Sequence, residues 1–285
     1  MYSVIIPSIG RRSLSNVIVS LNNSTIKPFE IIVVIPECSN FDSAKILINT
    51  NVKLVLSKHC HQVLQRIDGI KHVSSKINYV CLIDDDVIVN IDSIEKLLKV
   101  ADEKTVVGPI YKFLDSDTVI HSLSYDLNKS SFKRFLRNFI NYFFHKVPFD
   151  LKKMGKVSCT SLSFGVPIES KNSRYFEVDW LPGGCVLSHK QNLINYNYYP
   201  LSGKCYTEDI ICSYLRKKKN IKHLIAINSI VRTDEINKSV ENNTKYLAQK
   251  LNEFRGRLYY VKLTNGSYVR FYFWFIFYFL KGIFK

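Results

Sequence analysis

The chain has 285 residues, of which 46% are hydrophobic and 22% charged, a composition that is typical of a globular protein and excludes a disordered one. A net charge of +16 indicates an anionic partner: nucleic acid, an acidic membrane surface or a phosphorylated ligand. The seven cysteines include no CxxC pair, which favours free thiols in a reducing cytosol. The N-terminus has no basic region followed by a long apolar stretch, so we expect no signal peptide.

The N-terminal part of the chain alternates short apolar runs with stretches of helical spacing. The runs predict strands at Tyr2–Ile6, Glu30–Ile35 and Val52–Leu56, and the spacing predicts helices at Leu14–Leu21, around Ser43–Ile48 and at His61–Val73. Such alternation with short connections predicts an α/β fold, a doubly wound, mostly parallel sheet flanked by helices. Ligands of these sheets bind at the carboxyl ends of the strands, where Ser8 and Glu37 are expected.

A fourth predicted strand, Tyr79–Ile83, is apolar throughout and ends in three consecutive carboxylates, Asp84, Asp85 and Asp86. Adjacent carboxylates repel one another, and burial increases the cost. A divalent cation that bridges to a diphosphate resolves this repulsion, because hard oxygen ligands suit Mg²⁺ or Mn²⁺. The alternative is a solvated acidic turn before a helix that begins near Asp92. The chain contains neither GxGxxG nor a P-loop, so neither a dinucleotide-binding fold nor an NTPase is supported.

Several segments resemble the family 2 glycosyltransferases, which have the GT-A fold and use nucleotide sugars. The segments are VIIPSIGRRSL, FEIIVV, LQRIDGIKHVSSKINYVCLIDDDV, WLPGGCVLSHKQNL and CYTEDIICSYLRKKKN. The resemblance spans most of residues 2–235. It implies a catalytic domain over residues 1–240, with a nucleotide-sugar-binding half at 1–110 and an acceptor half at 111–240. A helical, aromatic and basic tail follows at 241–285.

The resemblance implies a donor site at the end of the Tyr79–Ile83 strand. Asp84 and Asp86 match the Asp-x-Asp motif of the family and are expected to hold Mn²⁺ or Mg²⁺. Arg66 and Gly69 match an Arg and a Gly on the preceding helix. Arg66 is expected to pair with phosphate or with the acid cluster, and a surface ion pair is its alternative interpretation. The further donor contacts that we expect are Pro7, Ser8, Glu37 and Asp85.

Two positions depart from the family pattern. Family members usually carry an Asp directly after the second strand, touching the nucleobase, whereas this chain has Ile35-Pro36-Glu37. Glu37 is the candidate for that role. A His that is often found in the family near the end of the domain, at a position of possible contact to metal or phosphate, is replaced around Arg232.

The acceptor half contains the candidate general base. Asp209 lies in Thr207-Glu208-Asp209, directly before a predicted helix, and matches the Glu-Asp motif of the family. Attack from the face opposite the leaving group implies inversion at the anomeric carbon, and Glu208 is expected to support the base or bind acceptor. The alternative is an acidic pair that only complements the helix dipole.

A loop with two glycines is the second acceptor-side motif. Gly183 and Gly184 allow close backbone approach, and Trp180 is expected to offer a ring face to a sugar. The alternative is an ordinary turn beside a core tryptophan.

Two aromatic and basic segments predict helices at a membrane surface. Ser131–Lys146 has an apolar face with aromatic side chains and basic residues elsewhere. In Tyr268–Lys285, the unbroken run Phe271–Leu280 falls short of the roughly 20 apolar residues that a span needs. We therefore expect peripheral attachment to the inner, cytoplasmic face of the cell membrane through an anionic surface. The alternatives are a buried helix for the first segment and docking onto the catalytic domain or a partner for the second. Tyr246–Leu263 is predicted to be a linking helix.

The combined prediction is an inverting transferase that acts in cell-surface polysaccharide synthesis. Its donor would be a nucleotide diphosphate sugar and its acceptor a glycan or a lipid-linked saccharide. The alternatives are a basic nucleic-acid-binding protein, a nucleotidyltransferase of related fold and a catalytically silent scaffold. Since nucleic-acid binding leaves the acid cluster and the Glu208-Asp209 pair without a role, we expect no nucleic-acid partner. The oligomeric state is not predicted.

Overall fold

A computed structural model describes residues 1–39, 41, 50–120, 131–147, 154–165, 173–234 and 243–283. Within these ranges one sheet contains the strands β1 (Tyr2–Pro7), β2 (Glu30–Pro36), β3 (Val52–Ser57), β4 (Tyr79–Ile83), β5 (Val87–Val89), β6 (Thr105–Phe113), β7 (Tyr175–Val178), β8 (Cys185–His189) and β9 (Lys222–Thr233). The α-helices in these ranges are α1 (Leu14–Asn22), α2 (Gln62–Lys71), α3 (Ser93–Leu98), α4 (Ser131–His145), α5 (Glu208–Lys217), α6 (Asn243–Leu263) and α7 (Tyr268–Ile283). The helix predicted around Ser43–Ile48 lies outside the described residues.

The sheet has the strand order β3-β2-β1-β4-β8-β6-β9-β5, and β7 pairs with β9. The strands β3, β2, β1 and β4 are all parallel, with Ile5 opposite Leu82 and Pro7 opposite Val34. Their carboxyl ends therefore lie at one edge of the sheet, as predicted for a doubly wound fold. Ser8 and Asp84 follow two neighbouring strands at this edge.

The second half of the sheet is mixed. Strand β8 runs antiparallel to β4, with Cys185 opposite Ile83, whereas β6 and β9 are parallel to each other. Because β8 begins where β4 ends, the loop before β8 reaches the acid cluster, and the Asp84 amide donates a 2.9 Å hydrogen bond to the Gly184 carbonyl. The mixed α/β sheet flanked by helices confirms the predicted fold class.

Helices cover both faces of the parallel half. Helix α1 buries Leu14 and Leu21 against one face, and α2 packs on the other. Helix α2 approaches closely because Gly69 has no side chain, since a Cβ there would lie 2.5 Å from Ile5 Cγ2. Gln65 adds hydrogen bonds from its Nε2 to the carbonyls of Ser8 (2.9 Å) and Val34 (3.0 Å). This contact fixes α2 over the edge where the predicted ligand site lies.

The C-terminal helices pack against the sheet domain and against each other. Tyr260 of α6 joins a core that includes Val63 of α2 and Ile211 of α5. Val261 and Phe271 belong to a separate small core between α6 and α7. No helix in the described part of the chain is long and apolar enough to cross a membrane.

Candidate active site

The first carboxylate after β4 lies against helix α2. Asp84 Oδ1 accepts hydrogen bonds from Arg66 Nη2 at 3.0 Å and from Gln62 Nε2 at 2.8 Å. Burial raises the pKa of Asp84 and the charge of Glu208 raises it further, although Arg66 opposes both effects. Asp84 is thus a carboxylate held by two donors from one helix.

The other two carboxylates lie against the loop after β1. Ser8 Oγ donates to Asp85 Oδ2 at 2.5 Å, and Arg11 Nη1 donates to Asp86 Oδ2 at 2.8 Å while lying 3.7 Å from Asp85 Oδ1. The three acids therefore each have their own donor, which offsets the repulsion expected from the sequence.

Arg66 connects the acid cluster after β4 to the loop before β8 and to the start of α5. Its Nη1 donates to Glu208 Oε1 at 2.9 Å, and its Nη2 donates both to Asp84 and to the Gly183 carbonyl at 3.0 Å. The side chain is almost fully buried. Burial by itself lowers the pKa of Arg66, but the charges of Glu208 and Asp84 outweigh it and hold the pKa well above its ordinary value. One guanidinium thus joins the end of β4, the loop before β8 and the start of α5.

Asp209 lies beside this ion-pair cluster at the start of α5. Burial and the charge of Glu208 raise the pKa of Asp209 to about 7. A carboxylate with such a pKa is well matched to proton transfer near neutral pH. The preceding Thr207 has a φ of 66°, a left-handed conformation that is strained for a β-branched residue. The chain therefore makes a sharp turn at Thr207, directly before Glu208 and Asp209 at the start of α5.

A small cavity lies between α2, α5 and the loop before β8. Its polar lining consists of Arg66, Glu208, Asp209, Ser213 and Arg216, with Gly183 at its wall. A Cβ at Gly183 would lie 3.2 Å from Glu208 Oε2 and 3.6 Å from Asp209 Cβ. The glycine predicted from the sequence is thus the residue that leaves this space open.

The remaining predicted donor residues lie at the same edge with different exposure. Pro7 is buried at the end of β1, opposite Val34. Glu37 is exposed after β2, and its amide donates to the Ser57 carbonyl at 2.8 Å. Arg232, at the position of the departure from the family pattern, pairs with Asp117 at 2.9 Å.

The position of Trp180 corrects its expected role in acceptor binding. The side chain is 3% exposed and packs in the core with Ile211 and Tyr199. Its Nε1 donates to the Phe164 carbonyl at 3.0 Å. The indole is buried in the core that α5 shares with α2 and α6, so its ring does not face an open site.

Three residues that contact the carboxylates of the site were not predicted from the sequence. Gln62 lies one helical turn before Arg66, so the i, i+4 spacing was the available signal. Arg11 follows β1 closely, and its proximity to the strand end was a weaker signal. Tyr198, whose hydroxyl donates to Glu208 Oε1, had none.

The acid cluster can supply two of the ligands of a divalent cation, but not a complete set. No group of three or more His, Cys, Asp or Glu side chains that could hold a metal occurs among the described residues. Asp84 and Asp86 nevertheless supply hard carboxylate oxygens, with 29% and 16% of their side chains exposed. Mg²⁺ and similar ions at diphosphate sites take one or two protein carboxylates and complete their shell with phosphate and water. The residues therefore fit a cation that is shared with a diphosphate.

The sequence model of Glycosyl transferase family 2 matches residues 3–156, and the chain belongs to this family. No curated protein gives a significant sequence match. The fold resembles a crystal structure of GalNAc-T7 with UDP, GalNAc and Mn²⁺, at 15% identity and a TM-score of 0.60, over 85% of this chain and 44% of that one.

Two structures of S. aureus TarS are also similar. The structure of TarS 1–349 is 14% identical with a TM-score of 0.43, over 82% of this chain and 58% of that one. A second TarS structure is 14% identical with a TM-score of 0.45, over 88% and 38%. The chain thus spans less than two thirds of each of these proteins. The likeness to GalNAc-T7 confirms the GT-A-like fold.

Proposed function

We propose that the chain is an inverting, metal-dependent glycosyltransferase that moves a sugar from a nucleoside diphosphate sugar to a hydroxyl of a glycan acceptor. The observation that carries the proposal is the Arg66 bridge between Asp84 and Glu208. The bridge supports the proposal because it links Asp84 of the acid cluster to the residue directly before Asp209, a carboxylate whose pKa is about 7. Charge stabilisation and proton acceptance are thereby combined at one site.

Asp209 is the proposed base. Its carboxylate takes the proton of the acceptor hydroxyl while that oxygen forms a bond to the anomeric carbon. The bond from the anomeric carbon to the diphosphate oxygen breaks, and the nucleoside diphosphate leaves with the electron pair. Attack opposite the leaving group inverts the anomeric centre. Glu208, fixed by Arg66, holds Asp209 in place and keeps its pKa high.

The donor edge is proposed to bind the nucleotide. Asp86, with Asp84, would hold Mg²⁺ or Mn²⁺, which when bound offsets the negative charge of the diphosphate. A structure of the same fold, GalNAc-T7, contains UDP and Mn²⁺, which supports this proposal. The remaining donor contacts proposed are Pro7, Ser8, Glu37 and Asp85. Ser8 and Asp85 already share a hydrogen bond, which pre-organises this part of the edge.

The acceptor is proposed to be a lipid-linked saccharide at the cytoplasmic face of the membrane, in cell-surface polysaccharide synthesis. The support is the aromatic C-terminal segment together with the net charge of +16. Residues 1–110 and 111–240 would form the donor and acceptor halves, and residues 241–285 the attachment tail. Gly183, Gly184 and Glu208 would contact the acceptor.

A thermal-shift screen of nucleoside diphosphates, with Mn²⁺ or with EDTA, tests the donor site. We expect a nucleoside diphosphate to stabilise the protein only when Mn²⁺ is present. Incubation with the matching nucleotide sugar then tests the chemistry, since a glycosyltransferase releases nucleoside diphosphate and a nucleotidyltransferase releases diphosphate. Stabilisation by polyanions alone, with no response to any nucleotide, would favour the nucleic-acid-binding alternative.

A further inference from the structure

Two helices expose an unusual number of large apolar side chains. On α4 the exposed residues are Phe132, Phe135, Leu136, Phe139, Tyr142 and Phe143. On α7 they are Tyr268, Val269, Tyr272, Phe273, Ile276 and Phe277. Their exposed fractions run from 43% for Tyr268 to 75% for Phe132. Isolated exposed apolar residues are ordinary, but a contiguous set of this size marks an interaction surface.

Each set forms one stripe of its helix. The exposed α4 residues recur at intervals of three and four, so they share a face, whereas Asn138 and His145 on the opposite side are buried. In α7 the exposed residues likewise share a side, and Phe271 and Trp274 are buried in the core with α6. The buried sides attach both helices to the protein, and the aromatic sides are exposed.

The two stripes meet and form one surface. Helix α4 packs on α7, with the rings of His145 and Trp274 5.3 Å apart. The Arg270 guanidinium of α7 lies 5.8 Å from the ring of Phe143, which stacks on Phe139 at 6.5 Å. A cation therefore lies where the exposed rows of α4 and α7 come together. We name the twelve exposed residues of these rows the aromatic face.

The charge pattern identifies the kind of partner. Helix α4 contains Lys133, Arg134 and Arg137, α7 contains Arg270 and Lys281, and neither helix contains an acidic residue. Rings with flanking cations and no carboxylates are suited to the headgroup layer of an anionic bilayer. An apolar face on a helix that is too short to span belongs in the plane of the interface.

We propose that α4 and α7 together form one membrane-binding surface, which inserts the aromatic face into the headgroup layer of a bilayer that contains anionic lipid. Both helices lie along the bilayer plane and neither crosses it. The inference deepens the proposed membrane location of the transferase, and it rests on that location and not on the chemistry of Asp209. In this proposal α4 and α7 bind the membrane as a single unit.

Flotation of the full chain with lipid vesicles tests the proposal. The vesicles contain phosphatidylcholine alone or about two parts phosphatidylcholine to one part phosphatidylglycerol. The variants Phe135→Ser/Phe139→Ser on α4 and Phe273→Ser/Phe277→Ser on α7 each remove two rings. The matched control is Leu56→Ser/Tyr175→Ser, since these residues are 60% and 46% exposed on strands β3 and β7.

We expect the unmodified chain to float with the anionic vesicles. The double substitution on α4 and the double substitution on α7 should each weaken vesicle binding about tenfold or more, whereas the control variant should bind as the unmodified chain does. If the α7 double variant loses vesicle binding while the α4 double variant binds fully, the proposal of a single surface is overturned. If no form binds vesicles and light scattering shows a dimer that both helix pairs disrupt, the face is an interface between two copies and the proposal fails. Circular dichroism melting confirms that each variant is folded.

Release of nucleoside diphosphate in detergent separates this inference from the proposed chemistry. The aromatic-face variants are expected to retain the activity of the unmodified chain on a soluble acceptor or on water. Vesicle binding without such activity contradicts the proposed function alone. Activity without vesicle binding contradicts the membrane surface alone.

Discussion

Arg66 and Glu208 are 142 residues apart in the chain and form a buried ion pair with 2.9 Å between Nη1 and Oε1. The same guanidinium holds Asp84 and the Gly183 carbonyl. A buried arginine without carboxylate partners would be strongly destabilising, so this pair links the stability of the fold to the geometry of the site. Glu208 and Asp209 are consecutive in the first turn of α5, so the ion pair also anchors the start of the helix that contains Asp209.

A double-mutant cycle on Arg66 and Glu208 tests this link. Arg66→Met is expected to lower the free energy of unfolding by about 3 kcal/mol, because it leaves Glu208 buried without its cation. Glu208→Gln is expected to cost less, about 2 kcal/mol, because Arg66 keeps its ion pair with Asp84. The double variant should lose less than the sum, with a coupling of about 2 kcal/mol in urea unfolding. The exposed pair Asp68–Lys71 serves as the control, where we expect coupling below about 1 kcal/mol. Additive losses at Arg66 and Glu208 would show that they do not act as a unit.

The raised pKa of Asp209 predicts a pH dependence of stability. Its pKa is about 7 in the folded chain, against about 4 for an unfolded aspartate, so the folded state binds more protons between these values. The free energy of unfolding of the unmodified protein should therefore fall as the pH rises through this window. Asp209→Asn removes the effect, so its stability relative to the unmodified chain should increase from about pH 5 to about pH 8. Parallel pH profiles for the two proteins would contradict the raised pKa.

The same pKa predicts the pH dependence of activity. The ionised form of Asp209 is the base, so kcat/KM should rise with pH and level off above an apparent pKa near 7. Initial rates of nucleoside diphosphate release over this range provide the measurement. A rate that is flat through neutral pH would exclude Asp209 as the group whose ionisation limits the reaction.

Asp86→Ala is expected to weaken Mn²⁺-dependent binding of a nucleoside diphosphate by about tenfold or more, because it removes a proposed metal ligand. Calorimetric titration with the nucleotide found in the thermal-shift screen, with Mn²⁺ or EDTA, measures this change. The control is Asp117→Ala, an exposed aspartate that pairs with Lys112 and Arg232. Equal binding by Asp86→Ala and Asp117→Ala would remove Asp86 from the donor site.

Trp180→Phe tests the corrected position of the indole. The substitution removes the hydrogen bond to Phe164, so the free energy of unfolding should fall by about 1–2 kcal/mol while KM for the acceptor stays unchanged. Tyr196→Phe, at a residue that is 49% exposed, is expected to change neither quantity. A raised acceptor KM with unchanged stability would return Trp180 to the acceptor site.

The parts of the site that the sequence predicted depend on local patterns. Asp84 follows a run of apolar residues that only a buried strand accommodates, and Gly69 lies one turn after Arg66 on a helix with clear periodicity. Glu208 and Asp209 form the start of helix α5. For these residues the strand or helix alone determines which edge of the sheet they reach.

The parts that were not predicted depend on distant contacts. Trp180 was assigned to the acceptor site because a glycine loop follows it, and only the packing of α5 on the sheet domain shows that it is buried. Tyr198 reaches Glu208 through a segment with no periodic pattern. Helices α4 and α7 pack together although more than a hundred residues separate them in the chain. The sequence therefore indicated the apolar face of each helix but not the contact between the two helices.

Asp209 is proposed to accept the proton of the acceptor hydroxyl beside the ion pairs that Arg66 forms with Asp84 and Glu208. The most direct test compares Asp209→Asn with the unmodified chain in one preparation, measuring nucleotide-sugar binding by calorimetry with Mn²⁺ and release of nucleoside diphosphate under single-turnover conditions. We predict unchanged binding and a release rate lowered by about a thousandfold or more in Asp209→Asn. Release at the unmodified rate, or loss of binding and release together, would contradict the claim.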